Sequence, residues 1–184
     1  MRHNNIFTIL IIIITSCSNS KGGDKTQFQS FIKQLDKIET PITFNSNKEY
    51  EIKLMYPKNN AFFNKIDSMY GGFGVFGLLF EKKDFVAILG NIPTDSGTPL
   101  IMTFNRIGKK IDTHPVYENV MGDMGIYVQN SETIYPDMQI VFVDSTITRK
   151  INEDGSNENP GSDSLSVKIK KYKIDSNGKF IRTE

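Results

Sequence analysis

The sequence predicts a mainly β domain: an antiparallel meander of hairpins forming a curved sheet, sandwich or open barrel, with one N-terminal amphipathic helix packed on it. Three observations carry this. Apolar side chains alternate with polar ones over several short stretches, which is the period of a half-buried strand. An apolar residue followed by Asn or Asp, two residues, then Gly-Lys occurs twice, as a hairpin turn would require. Helical spacing of apolar residues is convincing in a single stretch near the N-terminus.

That stretch holds Phe28, Phe31, Ile32, Leu35 and Ile38. Thr26 is a suitable N-cap with Gln29 three residues on, and Pro41 limits extension. After Pro41 the period changes. Tyr50, Ile52, Leu54 and Tyr56 fall on one side of an expected strand, with Glu51, Lys53 and Met55 on the other. Apolar runs at 75–80 and 85–89 flank the polar turn 81–84 and should pair antiparallel. Leu100, Met102 and Phe104 alternate, as do Ile126 and Val128, while 140–143 is apolar on both faces and belongs centrally in a sheet. Leu165, Val167 and Ile169 form a last row whose parity changes before Tyr172 and Ile174, as a bulge would produce.

The two similar turns are 104–111 and 174–181. In each, Gly108 or Gly178 is expected to take the positive φ that reverses the chain. Two copies do not make a solenoid or propeller. The stretch 152–163 contains no apolar side chain, so it is expected to be a mobile hairpin tip.

Composition narrows the function classes. The chain has 184 residues, enough for one compact domain rather than two lobes around a cleft. Lys and Arg number 22 against 21 Asp and Glu, a balance that argues against nucleic acid as a partner. One cysteine and two histidines exclude disulfide frameworks, CxxC redox pairs and zinc sites built on several Cys or His ligands. No cofactor and no metal is expected.

The first sixteen residues are laid out as a cleaved signal, with Arg2, an apolar run at 6–14 and then small polar residues. The run is too short to span a bilayer, which needs about 20 apolar residues in a helix. Ile14-Thr15-Ser16-Cys17 resembles the bacterial lipobox. The resemblance implies cleavage before Cys17, a diacylglyceryl thioether on its sulfur and a further acyl chain on the new amine. Several chains make a lasting membrane anchor where a single one holds only marginally. Residues 17–25 then read as a flexible tether and 26–184 as the domain. Loss of Arg2 leaves 21 basic and 21 acidic residues, a formally neutral mature chain. The expected location is the cell envelope, with the outer membrane favoured over the inner.

Candidate chemistry is sparse. Gly72-Phe73-Gly74-Val75-Phe76-Gly77 matches GxGxxG, but an apolar strand rather than a capped helix follows, so the glycines read as a close-packed or bulged strand. His114 is the one imidazole of the mature chain and precedes Pro115, which reads as a solvated turn histidine. Asp123, Asp137 and Asp144 are nominal carboxylates for glycoside hydrolysis, with surface turns the plainer reading. The acidic loop 152–163 lacks the order of a calcium-binding EF-hand. The aromatic cluster of Phe62, Phe63, Tyr70, Phe73, Phe76, Phe80 and Phe85 reads as core. Lysines at 168, 170, 171 and 173 read as an edge strand protected against aggregation.

Asp67-Ser68-Met69, Asp144-Ser145-Thr146 and Asp163-Ser164-Leu165 resemble the Asp-Ser/Thr-aliphatic sequon for periplasmic O-glycosylation in the Bacteroidota. The resemblance implies Ser68, Ser145 and Ser164 as acceptors, Ser164 foremost because of the expected mobile loop. The layout of tether, helix and hairpins is similar in style to small lipoproteins of unknown function in that group, and it transfers no functional residue. The function expected is a lipid-anchored binding or interaction module with a membrane contact through Cys17 and a protein or glycan partner. An envelope inhibitor or immunity protein is the alternative, and a carbohydrate-active hydrolase the second.

Overall fold

The structure, a computed structural model, describes residues 20–48, 52–57, 59–94, 97–117 and 122–184. The signal segment, Cys17 and Tyr50 lie outside these residues. Among the described residues the elements are α1 (Ser20–Ile32), β1 (Ile42–Asn45), α2 (Ala61–Tyr70), β2 (Gly74–Glu81), β3 (Phe85–Ile92), β4 (Thr98–Asn105), β5 (Lys110–Pro115), β6 (Ile126–Ile134), β7 (Gln139–Thr148), β8 (Ser164–Ile174) and β9 (Phe180–Arg182). They build two open antiparallel sheets, β2-β3-β4-β5 and β1-β6-β7-β8-β9. The expected meander of hairpins is therefore present twice, with β1 added to one end of the second sheet.

Three layers follow from what each strand buries. On β3, Val86 and Ile88 pack beneath the helices, while Phe85, Ala87 and Leu89 face the second sheet. On β4, Leu100, Met102 and Phe104 join the helix side and Ile101 the other. The first sheet is thus covered on both faces, helices above and second sheet below. Each fully buried Phe, Leu or Ile contributes about 1.5–3 kcal/mol of transfer free energy, so both cores are needed.

Both helices differ from expectation. α1 begins at Ser20, inside the stretch expected as tether, and ends at Ile32. Phe28, Phe31 and Ile32 bury as the apolar spacing requires, but Leu35 and Ile38 bury from the irregular segment after the helix. That segment is claimed by β2: Leu78 N–H donates to the Asp36 carbonyl (2.8 Å) and Ile38 N–H to the Leu78 carbonyl (2.9 Å). Backbone pairing with a strand removes the option of continuing a helix. α2 was not expected at all, although its signals are local. Asn60 caps it, its side-chain oxygen accepting from Phe63 N–H (3.0 Å), and Gly71 ends it in the left-handed conformation (φ 68°).

The strand expected at 50–56 is not a strand over its described residues. Only Met55 makes ladder bonds, reciprocally with Val75 (2.7 and 2.9 Å). Ile52 and Leu54 pack toward the core between the sheets, whereas Met55 packs toward the helices. The alternation was real, but it serves two cores rather than one sheet face. Neighbouring β2 carries register shifts at Val75/Gly77 and Leu78/Phe80, as the glycine-rich reading expected. Gly77 sits at φ 154°, and a Cβ there would collide with the Asp36 carbonyl.

The two repeated turns share one geometry. Asn105 Oδ1 accepts from the N–H groups of Ile107 and Lys109, and Asp175 Oδ1 accepts from those of Asn177 and Lys179. Gly108 (φ 86°) and Gly178 (φ 82°) take the positive φ expected of them. No bulge interrupts β8. Its ladder to β7 runs unbroken from Gln139↔Lys173 to Thr148↔Ser164. The parity change arises because Tyr172 and Ile174 face the first sheet, while Leu165, Val167 and Ile169 sit on the opposite face of the same strand, exposed.

Candidate functional site

The sequence places Asn130 and Glu132 in the same alternating row as Val128 and Ile134, polar groups in a row that turns inward. The structure shows why. His114, on β5 opposite Ile101, reaches across the sandwich so that its Nε2 lies 2.8 Å from Glu132 Oε2 on β6. The side chains are 9% and 0% exposed. Phe180 stacks on the imidazole (centroids 5.1 Å apart) and Tyr172 leans against it at 4.8 Å. His114 is accordingly not a solvated turn histidine, which corrects the expectation. Pro115 ends a strand that the neighbouring turn residues concealed, and burial makes the hydrogen-bonded partner obligatory. Buried this way, the pair ties the two sheets together.

A second cluster lies at the far end of the second sheet. Arg149 grips Asp163 with two parallel bonds, Nε to Oδ1 at 2.6 Å and Nη2 to Oδ2 at 3.0 Å, and donates to Glu158 Oε2 at 3.0 Å. Tyr127 donates its hydroxyl to Glu158 Oε2 (2.6 Å), and Gly125 N–H donates to Oε1 (2.8 Å). The Tyr127 hydroxyl, the Gly125 amide and Arg149 together hold Glu158 below the usual carboxylate range. Arg149 does the same to Asp163. The Glu158 carboxylate in turn raises the Tyr127 hydroxyl above its ordinary value.

This cluster ties down the base of the acidic loop expected as a mobile tip. Ile151 bridges Glu158, Asn152 N–H donates to the Asn157 carbonyl (2.8 Å), and Asn159 N–H to that of Lys150 (2.8 Å). Asp154 accepts from Ser156, which lowers its carboxyl. Charge-assisted polar bonds here do the ordering that apolar burial does elsewhere.

Beside the cluster, on the outer face of the second sheet, is a depression of about 370 Å³ lined by Tyr127, Gln129, Ser145, Ile147, Arg149 and Asp163. Cross-strand pairing sets Tyr127 beside Ile147, Ile147 beside Leu165, Ser145 beside Val167 and Val143 beside Ile169. Tyr127, Leu165, Val167 and Ile169 are all exposed. Sequence reasoning found the apolar row but not this face, because Tyr127 and Arg149 meet only through strand register.

The other candidates are scattered. Asp123 and Asp137 lie in turns at opposite ends of the nine-residue β6, roughly 26 Å apart at 3.3 Å per residue. They cannot flank one glycosidic bond. Asp144 lies between them on β7, accepting from Asn130 Nδ2 at 3.3 Å. The lysines of β8 do not form one patch. Lys168 and Lys170 lie on the inner face, Lys170 over the Phe142 ring, while Lys171 pairs with Glu184 on the other (2.8 Å). Ser68 is exposed on α2 with its hydroxyl donating to the Lys65 carbonyl, Ser145 lines the depression, and Ser164 begins β8 rather than sitting in a loop. Among the described residues no group of three His, Cys, Asp or Glu is placed to hold a metal ion, and no helix is long and apolar enough to cross a membrane. No family model, no curated protein and no solved structure matches the chain.

Proposed function

We propose that this chain is a binding or interaction module of the cell envelope, anchored through lipid on Cys17 and working without catalysis. The observation that carries the reading is the outer face of the second sheet. Monomeric surfaces rarely leave a contiguous apolar row of this kind uncovered, and such rows mark interaction sites. Here Tyr127, Ile147, Leu165, Val167 and Ile169 lie side by side, rimmed by Gln129, Arg149 and Asp163. The burial of His114 against Glu132 supports the same reading, since it commits the imidazole of the mature chain to joining the sheets.

The inhibitor alternative draws less support. Of the four carboxylates in 152–163, Glu158 and Asp163 are held by Arg149 at the loop base and Asp154 accepts from Ser156, leaving Glu153 to meet a basic cleft.

Three experiments test the proposal. Radiolabelled palmitate should enter the wild-type chain and not Cys17→Ala, and equal labelling of both refutes the anchor. Capture from envelope extract by the full-length chain should fall at least tenfold for the double variant Ile147→Ser/Leu165→Ser. A glycan, peptide or ester hydrolysis that disappears in one folded single-residue variant overturns the non-catalytic reading.

A further inference from the structure

Among the described residues, part of the edge of β8 beside that face is open. β9 pairs with Tyr172, Lys173 and Ile174, and Thr183 and Glu184 beyond it reach Lys171, whose N–H donates to the Glu184 carbonyl (3.3 Å) and whose carbonyl accepts from Thr183 N–H (2.8 Å). At the other end Asp163 is held by Arg149. Between these limits, residues 164–170 have no neighbouring strand on that side among the described residues.

Backbone direction alternates along a strand. Since Lys171 points its N–H and C=O at β9, Leu165, Val167 and Ile169 point theirs outward along the open edge. Their side chains are 65%, 50% and 55% exposed. Ser166, Lys168 and Lys170 occupy the opposite face.

We propose that this edge pairs with the same edge of a second copy, antiparallel about a two-fold axis through Val167, so that two second sheets become one. Val167 is the midpoint of 164–170. In that register Leu165 faces Ile169 of the second copy, Val167 faces Val167, and Ile169 faces Leu165. All three are hydrogen-bonded pairs, which supplies six bonds between the copies. On the other face each lysine meets a serine: Ser166 faces Lys168 and Ser164 faces Lys170. Sliding the register by two residues toward the C-terminus instead sets Lys168 opposite Lys168. The edge is therefore self-complementary in length, in hydrogen bonding and in apolar contact, as an isologous interface demands, and in this register no lysine stands directly opposite another. The pairing uses the backbone edge and goes beyond the binding role of the face.

The test is disulfide cross-linking of the full-length chain in its own membranes under oxidation. Each exposed position of the row takes a cysteine without touching either core. Val167→Cys should cross-link to a covalent dimer, Leu165→Cys and Ile169→Cys alone should not, and the two expressed together should. Ser166→Asp sets a carboxylate against each facing lysine and should tighten the pairing about tenfold, whereas Ser166→Lys should weaken it by a similar factor. Val167→Pro removes the central outward N–H, a change an edge tolerates, and should leave a folded monomer. Cross-linking at Val167 no greater than at Leu165 or Ile169 overturns the pairing. So does a Val167→Pro variant that loses a foreign partner from a chain already monomeric. A wild-type chain that is monomeric yet captures its partner through the outer face overturns the pairing alone and leaves the binding role standing.

Discussion

Gly77 shows how one residue holds two segments together. Its φ of 154° and the close approach of the Asp36 carbonyl leave no room for a side chain, so Gly77→Ala should destabilise the fold by about 2 kcal/mol or more, read by chemical denaturation. A loss below 0.5 kcal/mol would show that the 36–38 segment can move aside. His114 and Glu132 make a second residue-scale case. Breaking a buried polar pair by removing one partner is costly, at about 3 kcal/mol for Glu132→Ala, which takes the carboxylate from the His114 ring, and for His114→Ala, which takes the imidazole from between the sheets. The double variant should cost less than the sum of the two, because the contact between them can be lost only once. Strict additivity in that cycle would mean the 2.8 Å contact contributes nothing to joining the sheets.

At the scale of the element, α2 is tied at its start by one side chain. Asn60 accepts from Phe63 N–H and donates its amide to the Gln27 carbonyl on α1 (3.3 Å), so it caps one helix and holds the other. Asn60→Ala should cost about 1–2 kcal/mol, toward the upper end because Asn60 is buried, and Asn60→Asp should recover the cap but not the tie to α1. Equal losses for both variants would place the whole effect on Gln27. The tip of the β7–β8 hairpin is held by charge instead. Tyr127 and Arg149 depress Glu158, and Arg149 depresses Asp163. Carboxyls lowered in the folded state stabilise it above their unfolded values near pH 4, and that contribution is lost as pH falls through the lower folded values. Hydrogen exchange at Gly125 N–H, which donates to Glu158, should therefore be slow at pH 7 and, after correction for intrinsic rates, lose protection below about pH 4. Protection that persists to pH 2 would show that the tip does not depend on these charges.

For the whole molecule, length, composition and period were enough to establish a mainly β domain of antiparallel hairpins, the hairpin around 81–84, the glycine turns at Gly108 and Gly178, and a central place for 140–143. These features are local. They depend on side-chain alternation and on the φ a turn demands, and both are written within a few residues of chain. α2 was legible on the same terms, through Asn60 and Gly71, but the aromatic density of 62–80 masked the caps. Tertiary structure alone decided the rest. That the domain has two cores turned the alternation of 52–56 from a strand into a segment shared between layers. Packing of one sheet on the other brought His114 to Glu132, and cross-strand register, which no spacing along the chain reports, brought Tyr127 to Arg149. A contact between residues distant in sequence depends on which strands become neighbours, a choice made by burying both cores at once rather than by any one stretch of chain.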